Sequence, residues 1–232
     1  MDNIRHYSFD LWLTIIKSNP TFKEERASYF YNKLNRKNKS LDEVKAVFKY
    51  IDDMCNNINE RTGQNISSEE MYLMVLYQLN DSLDIMEEVD MAHLNTEMDM
   101  LFFRYSPIVY SKDTKETLYE LASKSNTTLN ILSNTAFIKG ELLRELLINL
   151  DIAKCFDFQI YSDEIGMSKP NINLYYHLVE NIQTMRNKDN IQLSEILHIG
   201  DNYKADYLGA KAAGLNALLI NSNDQSITKL LY

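Results

Sequence analysis

The sequence predicts an α/β protein: a parallel sheet with helices on both faces, interrupted early by an all-helical insertion. Three observations predict this. Strand and helix patterns alternate through the second half of the chain, as they do where parallel strands are joined by crossover helices. A strand that ends in a carboxylate stands alone near the N-terminus. Between the two, residues 17–104 carry helical patterning only.

The N-terminal strand comes first. In His6-Tyr7-Ser8-Phe9 the aromatic residues alternate with polar ones, as an extended segment requires. Asp10 follows at the carboxyl end, where open α/β sheets place their ligands. A carboxylate there needs a partner or a cation to justify its burial, and alone it reads equally well as a cap on the next turn.

After Thr14 the alternation stops and a polar, helical stretch begins. Ser40-Leu41-Asp42-Glu43 is a capping box. Leu41, Val44, Val47, Phe48, Ile51, Met54, Cys55 and Ile58 then form one apolar stripe, ended by Gly63. Ser67 to Glu70 caps a second helix with Met71, Met74, Val75 and Leu79 on its buried side. A third helical run is expected from about Met86 to Phe103. These stripes read as packing rather than as a cofactor site.

Pro107 marks the return to alternation. A helix opening at Asp113 carries Leu118, Leu121 and Ala122, and Thr128 to Ser133 is a strand ending in Ser133-Asn134. A helix from Ile138 to about Leu150, a short strand Phe156–Ile160 and a helix from Leu174 to about Met185 follow. Lys169-Pro170 precedes that helix. Ile196–Ile199 is a strand ending at Gly200-Asp201; a helix holds Ala210 to Ala213, and Ala217–Ile220 is a last strand. The expected division is 1–16 with 105–232 for the sheet domain, and 17–104 for the insertion.

Bulk properties narrow the function. A chain of 232 residues can bury a sizeable core, and a net charge of −9 argues against nucleic acid or an anionic membrane as partner. No apolar run is long enough to span a bilayer, and Met1-Asp2-Asn3-Ile4-Arg5 lacks a signal-peptide pattern. Cys55 and Cys155 are far apart and read as free thiols of a reducing cytoplasm. A monomer or homodimer is expected.

Asp10, Ser133 and Gly200-Asp201 end separate strands, and the carboxyl ends of parallel strands gather at one edge. Lys169 adds positive charge. Carboxylates, a hydroxyl and a lysine together would bind a divalent cation and a phosphate.

The pattern resembles the haloacid dehalogenase-like (HAD) superfamily along nearly the whole chain. The first motif of that family reads here Asp10-Leu11-Trp12-Leu13-Thr14, and the second Ile131-Leu132-Ser133-Asn134. The third reads Gly166-Met167-Ser168-Lys169-Pro170, and the fourth Gly200-Asp201 followed by Asp206 and Gly209-Ala210. The resemblance implies a three-layer Rossmann-like core with a helical cap inserted after the first motif. It implies Asp10 as a nucleophile that forms an aspartyl phosphate. Magnesium would be held by Asp10, the backbone carbonyl of Trp12, and Asp201 or Asp206. Ser133 would donate to a phosphoryl oxygen, with Asn134 and Thr14 in the same binding loops and Lys169 balancing charge. The implied substrate is a small phosphorylated metabolite.

One departure matters. Trp12 stands where the phosphatases of the family have a second Asp, the group that protonates the leaving oxygen and later activates water. Indole is neither a useful acid nor a base at neutral pH, and general acid–base catalysis is worth roughly 100- to 10,000-fold. Dehalogenases also have an aromatic residue there, need no metal, and hold the substrate carboxylate with an arginine from the early cap. Arg26 and Arg36 are available, though nothing in the sequence aims either at the site. Against that, Asp201 beside Asp10 would repel a 2-haloacid. A magnesium-dependent phosphatase is the expectation, with a dehalogenase-type hydrolase or a non-hydrolytic metal- and phosphate-binding relative as alternatives.

Overall fold

The computed structural model describes residues 3–82, 84–187 and 190–231; Met1 and Asp2 of the N-terminal stretch lie outside them. In chain order the strands are β1 (His6–Phe9), β2 (Ile16–Lys17), β3 (Ile108–Val109), β4 (Thr128–Ser133), β5 (Phe158–Tyr161), β6 (Ile196–Gly200) and β7 (Asn216–Leu219). The helices are α1 (Pro20–Lys33), α2 (Leu41–Thr62), α3 (Ser68–Asn80), α4 (Asp84–Glu88), α5 (Met91–Arg104), α6 (Thr114–Ser123), α7 (Gly140–Asn149), α8 (Ser162–Ile165), α9 (Ile172–Arg186) and α10 (Gly209–Ala212).

Five strands form one sheet in the order β5-β4-β1-β6-β7, every pairing parallel. β1 is central, with Phe9 level with Ile131 on one side and Ile199 on the other. All four β1 residues are buried, so the polar face of the strand is covered as fully as the apolar one. Its polar groups therefore need partners. His6 Nδ1 lies 2.7 Å from Thr128 Oγ1 and its Nε2 2.9 Å from Asn130 Oδ1. Ser8 meets His198 Nδ1 at 3.0 Å.

Helices cover both faces. Tyr7, Phe9, Leu129, Ile131, Leu197 and Ile199 pack with Leu118 and Leu121 of α6 and Leu143, Leu146 and Leu147 of α7. On the other face Leu132, Ile160 and Ile196 pack with Leu174, Leu178 and Ile182 of α9 and Ala210 of α10.

The helical segment, α1 to α5, has its own core around Phe30, Phe48, Tyr72, Leu76 and Leu94. Both expected capping boxes form, at Ser40 with Glu43 and at Ser67 with Glu70, and Gly63 closes α2 in the left-handed region. Three expectations are corrected. The run from Met86 to Phe103 is two helices, because the Asp90 side chain accepts from the amides of Ala92 and His93 and starts α5 anew. Ile58, assigned to the buried stripe, is exposed, and Met74 is only partly buried. The chain also enters and leaves the segment through an antiparallel ribbon, β2 with β3, where helix was expected from Lys17.

The two parts are joined at defined points. Phe137, in the loop after β4, enters the helical core, its ring 5.0 Å from Tyr72 and 5.6 Å from Phe48. The Gly63 carbonyl accepts from Ser168 N and Asn171 Nδ2, both at 3.0 Å. A Cβ at Gly63 would lie 2.8 Å from Asn171, so this approach requires glycine. Glu60 of α2 accepts from Asn202 Nδ2 at 2.9 Å and pairs with Lys204 at 3.3 Å.

Candidate active site

The carboxyl ends of β1, β4 and β6 meet below a cavity of about 380 Å³, roofed by the helical segment. Asp10 leaves β1 with its amide still bonded to Ile199 O at 2.8 Å. Thr14 Oγ1 donates to Asp10 Oδ2 at 3.0 Å, and Lys169 Nζ donates to Asp10 Oδ1 at 2.7 Å. Lys169 Nζ also donates to Asp206 Oδ1 at 2.6 Å. Asp206 Oδ2 accepts from Asn202 N at 2.9 Å, and His198 Nε2 lies 3.2 Å from Oδ1. Gly200 makes room for this: a Cβ there would lie 2.2 Å from the Asp206 carboxyl group.

The oxygens of Asp10, Asp201 and Asp206 lie within 4.8 Å of one another. Burial raises the Asp10 pKa to about 7 against the pull of Lys169, with the charges of Asp206 and Asp201 adding to the rise. Burial and then Asp206 push Asp201 up to about 6, although Lys169 opposes them. Burial also works against charge on Asp206, yet Lys169 and His198 hold it below the usual carboxylate range. The same two aspartates keep Lys169 protonated despite its burial. Three carboxylates facing one ammonium leave an excess of negative charge. Oxygen donors with such an excess fit a hard divalent cation.

Of the remaining residues expected at the site, Asn134 and Trp12 line the cavity, whereas Ser133 and Thr14 do not. Asn134 clasps the backbone of Lys169: its Oδ1 accepts from Lys169 N at 2.7 Å and its Nδ2 donates to Lys169 O at 3.0 Å. Ser133 is fully buried, its hydroxyl donates to Asn134 O, and it does not line the cavity. Thr14 is likewise buried and touches the site through Asp10. Trp12 lines the cavity with Leu13, Phe22, Phe102 and Phe137.

Two residues escape the sequence. His198 lies inside β6, which the sequence marks only as a strand, and it steadies Asp206; its only signal is a polar side chain in an otherwise apolar strand. Arg26 lines the cavity, buried, with its guanidinium 4.3 Å from the ring centres of both Phe48 and Phe137. Its Nε has no hydrogen-bond partner among the described residues. Its spacing from Phe22, one helical turn, is the signal available. Arg36 pairs instead with exposed Glu88 and does not line the cavity.

Comparison with known proteins agrees with this geometry. A family model described as haloacid dehalogenase-like hydrolase matches residues 4–214. Glyceraldehyde 3-phosphate phosphatase of Methanothermobacter thermautotrophicus is 34% identical over 110 residues, 47% of this chain and 44% of that protein. The match thus spans under half the length of that relative. The magnesium-bound HAD-hydrolase YfnB of Bacillus subtilis superimposes with a TM-score of 0.69 at 17% identity, covering 96% of this chain and 91% of that one. 2-Haloacid dehalogenase of Pseudomonas syringae pv. Tomato superimposes with a TM-score of 0.61 at 17% identity, covering 96% and 89%. At these identities the structural likeness speaks for the fold alone. The family match over residues 4–214 and the motif residues gathered at one sheet edge agree: the chain belongs to the haloacid dehalogenase-like hydrolases.

Proposed function

We propose that the chain is a magnesium-dependent phosphatase of small phosphorylated metabolites that carries the phosphoryl group on Asp10. One observation supports this above the others: Asp10, Asp201 and Asp206 converge with Lys169 at the floor of a cavity of about 380 Å³. In this reading 1–16 and 105–232 are the catalytic core and 17–104 is a cap, working in the cytoplasm. Among the described residues no helix is long and apolar enough to cross a membrane. The phosphatase relative lends the substrate class.

Asp10 is the nucleophile, one oxygen fixed by Thr14 and the other by Lys169. Lys169 balances the charge of Asp10 and of the transferring group. Asn134 and Ser133 shape the turn that holds Lys169 in place. Magnesium would be held by Asp10, the Trp12 carbonyl and Asp201, and would supply neutralisation of the phosphoryl charge. Asp206 accepts from Lys169 and from the Asn202 amide and so steadies Lys169, while Asp201 beside it would complete the protein ligands of the metal. The dehalogenase alternative loses support from Asp201, whose charge beside Asp10 opposes a free 2-haloacid.

The test is product release from acyl, aryl and alkyl phosphates and from 2-chloropropionate, each with magnesium and with EDTA. Magnesium-dependent phosphate release is expected. Chloride release that survives EDTA, or no phosphate release from any compound, would overturn the reading.

A further inference from the structure

When a phosphoryl group moves to Asp10, the bond between phosphorus and the leaving oxygen breaks. Its electron pair stays on that oxygen, which departs as an anion unless a neighbouring group protonates it. By its place in the first family motif Trp12 stands where the phosphatases have their proton donor, and Trp12 lines the cavity.

The other ionisable groups lining the cavity offer little substitute. Asp10, Asp201 and Asp206 form the acidic cluster. Lys169 is gripped by Asp10 and Asp206, which strengthen its hold on its proton against burial. Glu60 accepts from Asn202 and pairs with Lys204. Lys23 and Arg26 contribute positive charge on the helical wall. Asp52 remains. Burial raises its pKa, but Arg26 and Lys23 beside it favour the ionised form.

We propose that this site selects substrates whose leaving oxygen needs no proton, namely acyl phosphates or phosphates of acidic phenols. The inference rests on the phosphatase reading. An Asp10 oxygen forms the new bond to phosphorus while the leaving group departs as carboxylate or phenoxide, its charge already delocalised. Water then attacks phosphorus and the bond to Asp10 breaks. Inorganic phosphate leaves, and the water proton passes to phosphate or solvent. The aromatic wall of Trp12, Phe22, Phe102 and Phe137 suits the organic part of such a substrate.

The experiment is kcat/KM for magnesium-dependent turnover of acetyl phosphate, 4-nitrophenyl phosphate, phenyl phosphate and glycerol 3-phosphate. This ratio reads the steps up to cleavage of the leaving bond, whatever the speed of later hydrolysis. The expected result is a fall of roughly 100-fold or more from the acidic to the alkyl leaving group. Trp12→Asp should raise the alkyl value and flatten the series, while Asp52→Asn should keep it steep. Comparing acetyl with nitrophenyl phosphate tells acyl from aryl preference.

A flat series in the wild-type protein would overturn the proposal, whether or not Trp12→Asp folds. If that flat series turned steep in Asp52→Asn, Asp52 would be the acid. Absence of magnesium-dependent release from every compound would instead remove the phosphatase reading, and this proposal with it.

Discussion

The floor and the roof of the cavity are built on opposite principles. On the floor Asp10 and Asp206 are fixed by directional contacts: Asp10 by Thr14 and Lys169, Asp206 by Lys169, His198 and Asn202. On the roof, Phe22, Phe102 and Phe137 supply apolar surface, and buried Arg26 faces rings rather than a carboxylate within ion-pair distance. Directional contacts hold a reaction geometry. Apolar contacts are tolerant of shape, so the roof can differ between relatives while the floor stays the same.

The contrast predicts where the protein breaks. Lys169→Met should have the largest effect, because it leaves Asp10 and Asp206 buried and facing each other. A loss of about 3–5 kcal/mol is expected in urea unfolding with EDTA present. Unchanged stability would mean that the floor is not held by charge.

Phe137→Ala tests the roof and its junction with the sheet domain. Removing a buried ring from between Phe48 and Tyr72 should cost about 3 kcal/mol by the same measurement. A loss below about 1 kcal/mol would show that the two parts are held elsewhere.

The sheet below the floor should be acid-sensitive. Burial holds the His6 pKa at about 4, below its ordinary 6.5, so the unfolded chain binds more protons between those values. The His6 contribution to stability is therefore complete above pH 6.5 and falls as pH drops toward 4, by about 2 kcal/mol at pH 5, against the opposite slope that the raised Asp10 and Asp201 carboxyls impose. His198, also lowered by burial, adds in the same direction. His6→Gln should flatten the slope of unfolding free energy against pH over that window; an unchanged slope would exclude His6 as its source.

Glu60→Gln should have the smallest effect. Its partner Lys204 is half exposed, so less than about 1 kcal/mol is at stake. A larger loss would make this contact a main clasp between the two parts.

The same contrast explains what was legible. Asp10 and Asp201 were readable because parallel strands bring their carboxyl ends together, Lys169 as a positive charge ahead of a helix, and Asp206 only through the family resemblance. The sheet and its strand positions followed from alternation. Roles within the floor were less readable. Asn134 was expected to meet substrate; it lines the cavity and its short amide also clasps the Lys169 backbone, a contact that sequence does not show. Sequence does not show which way a side chain turns. The roof was least legible: helical periodicity marks a buried face but not which part of it borders a cavity, so Arg26 stayed ambiguous. The β2–β3 ribbon has two residues on each side, too few to show a period.

The central claim is that Asp10 carries the phosphoryl group. It is tested most directly by the mass of the protein after acid quench during turnover of acetyl phosphate with magnesium, with peptide mapping. The expected result is one phosphoryl group on Asp10, absent with EDTA and absent in Asp10→Asn. Phosphate release with no such adduct, or an adduct that persists in Asp10→Asn, would contradict it.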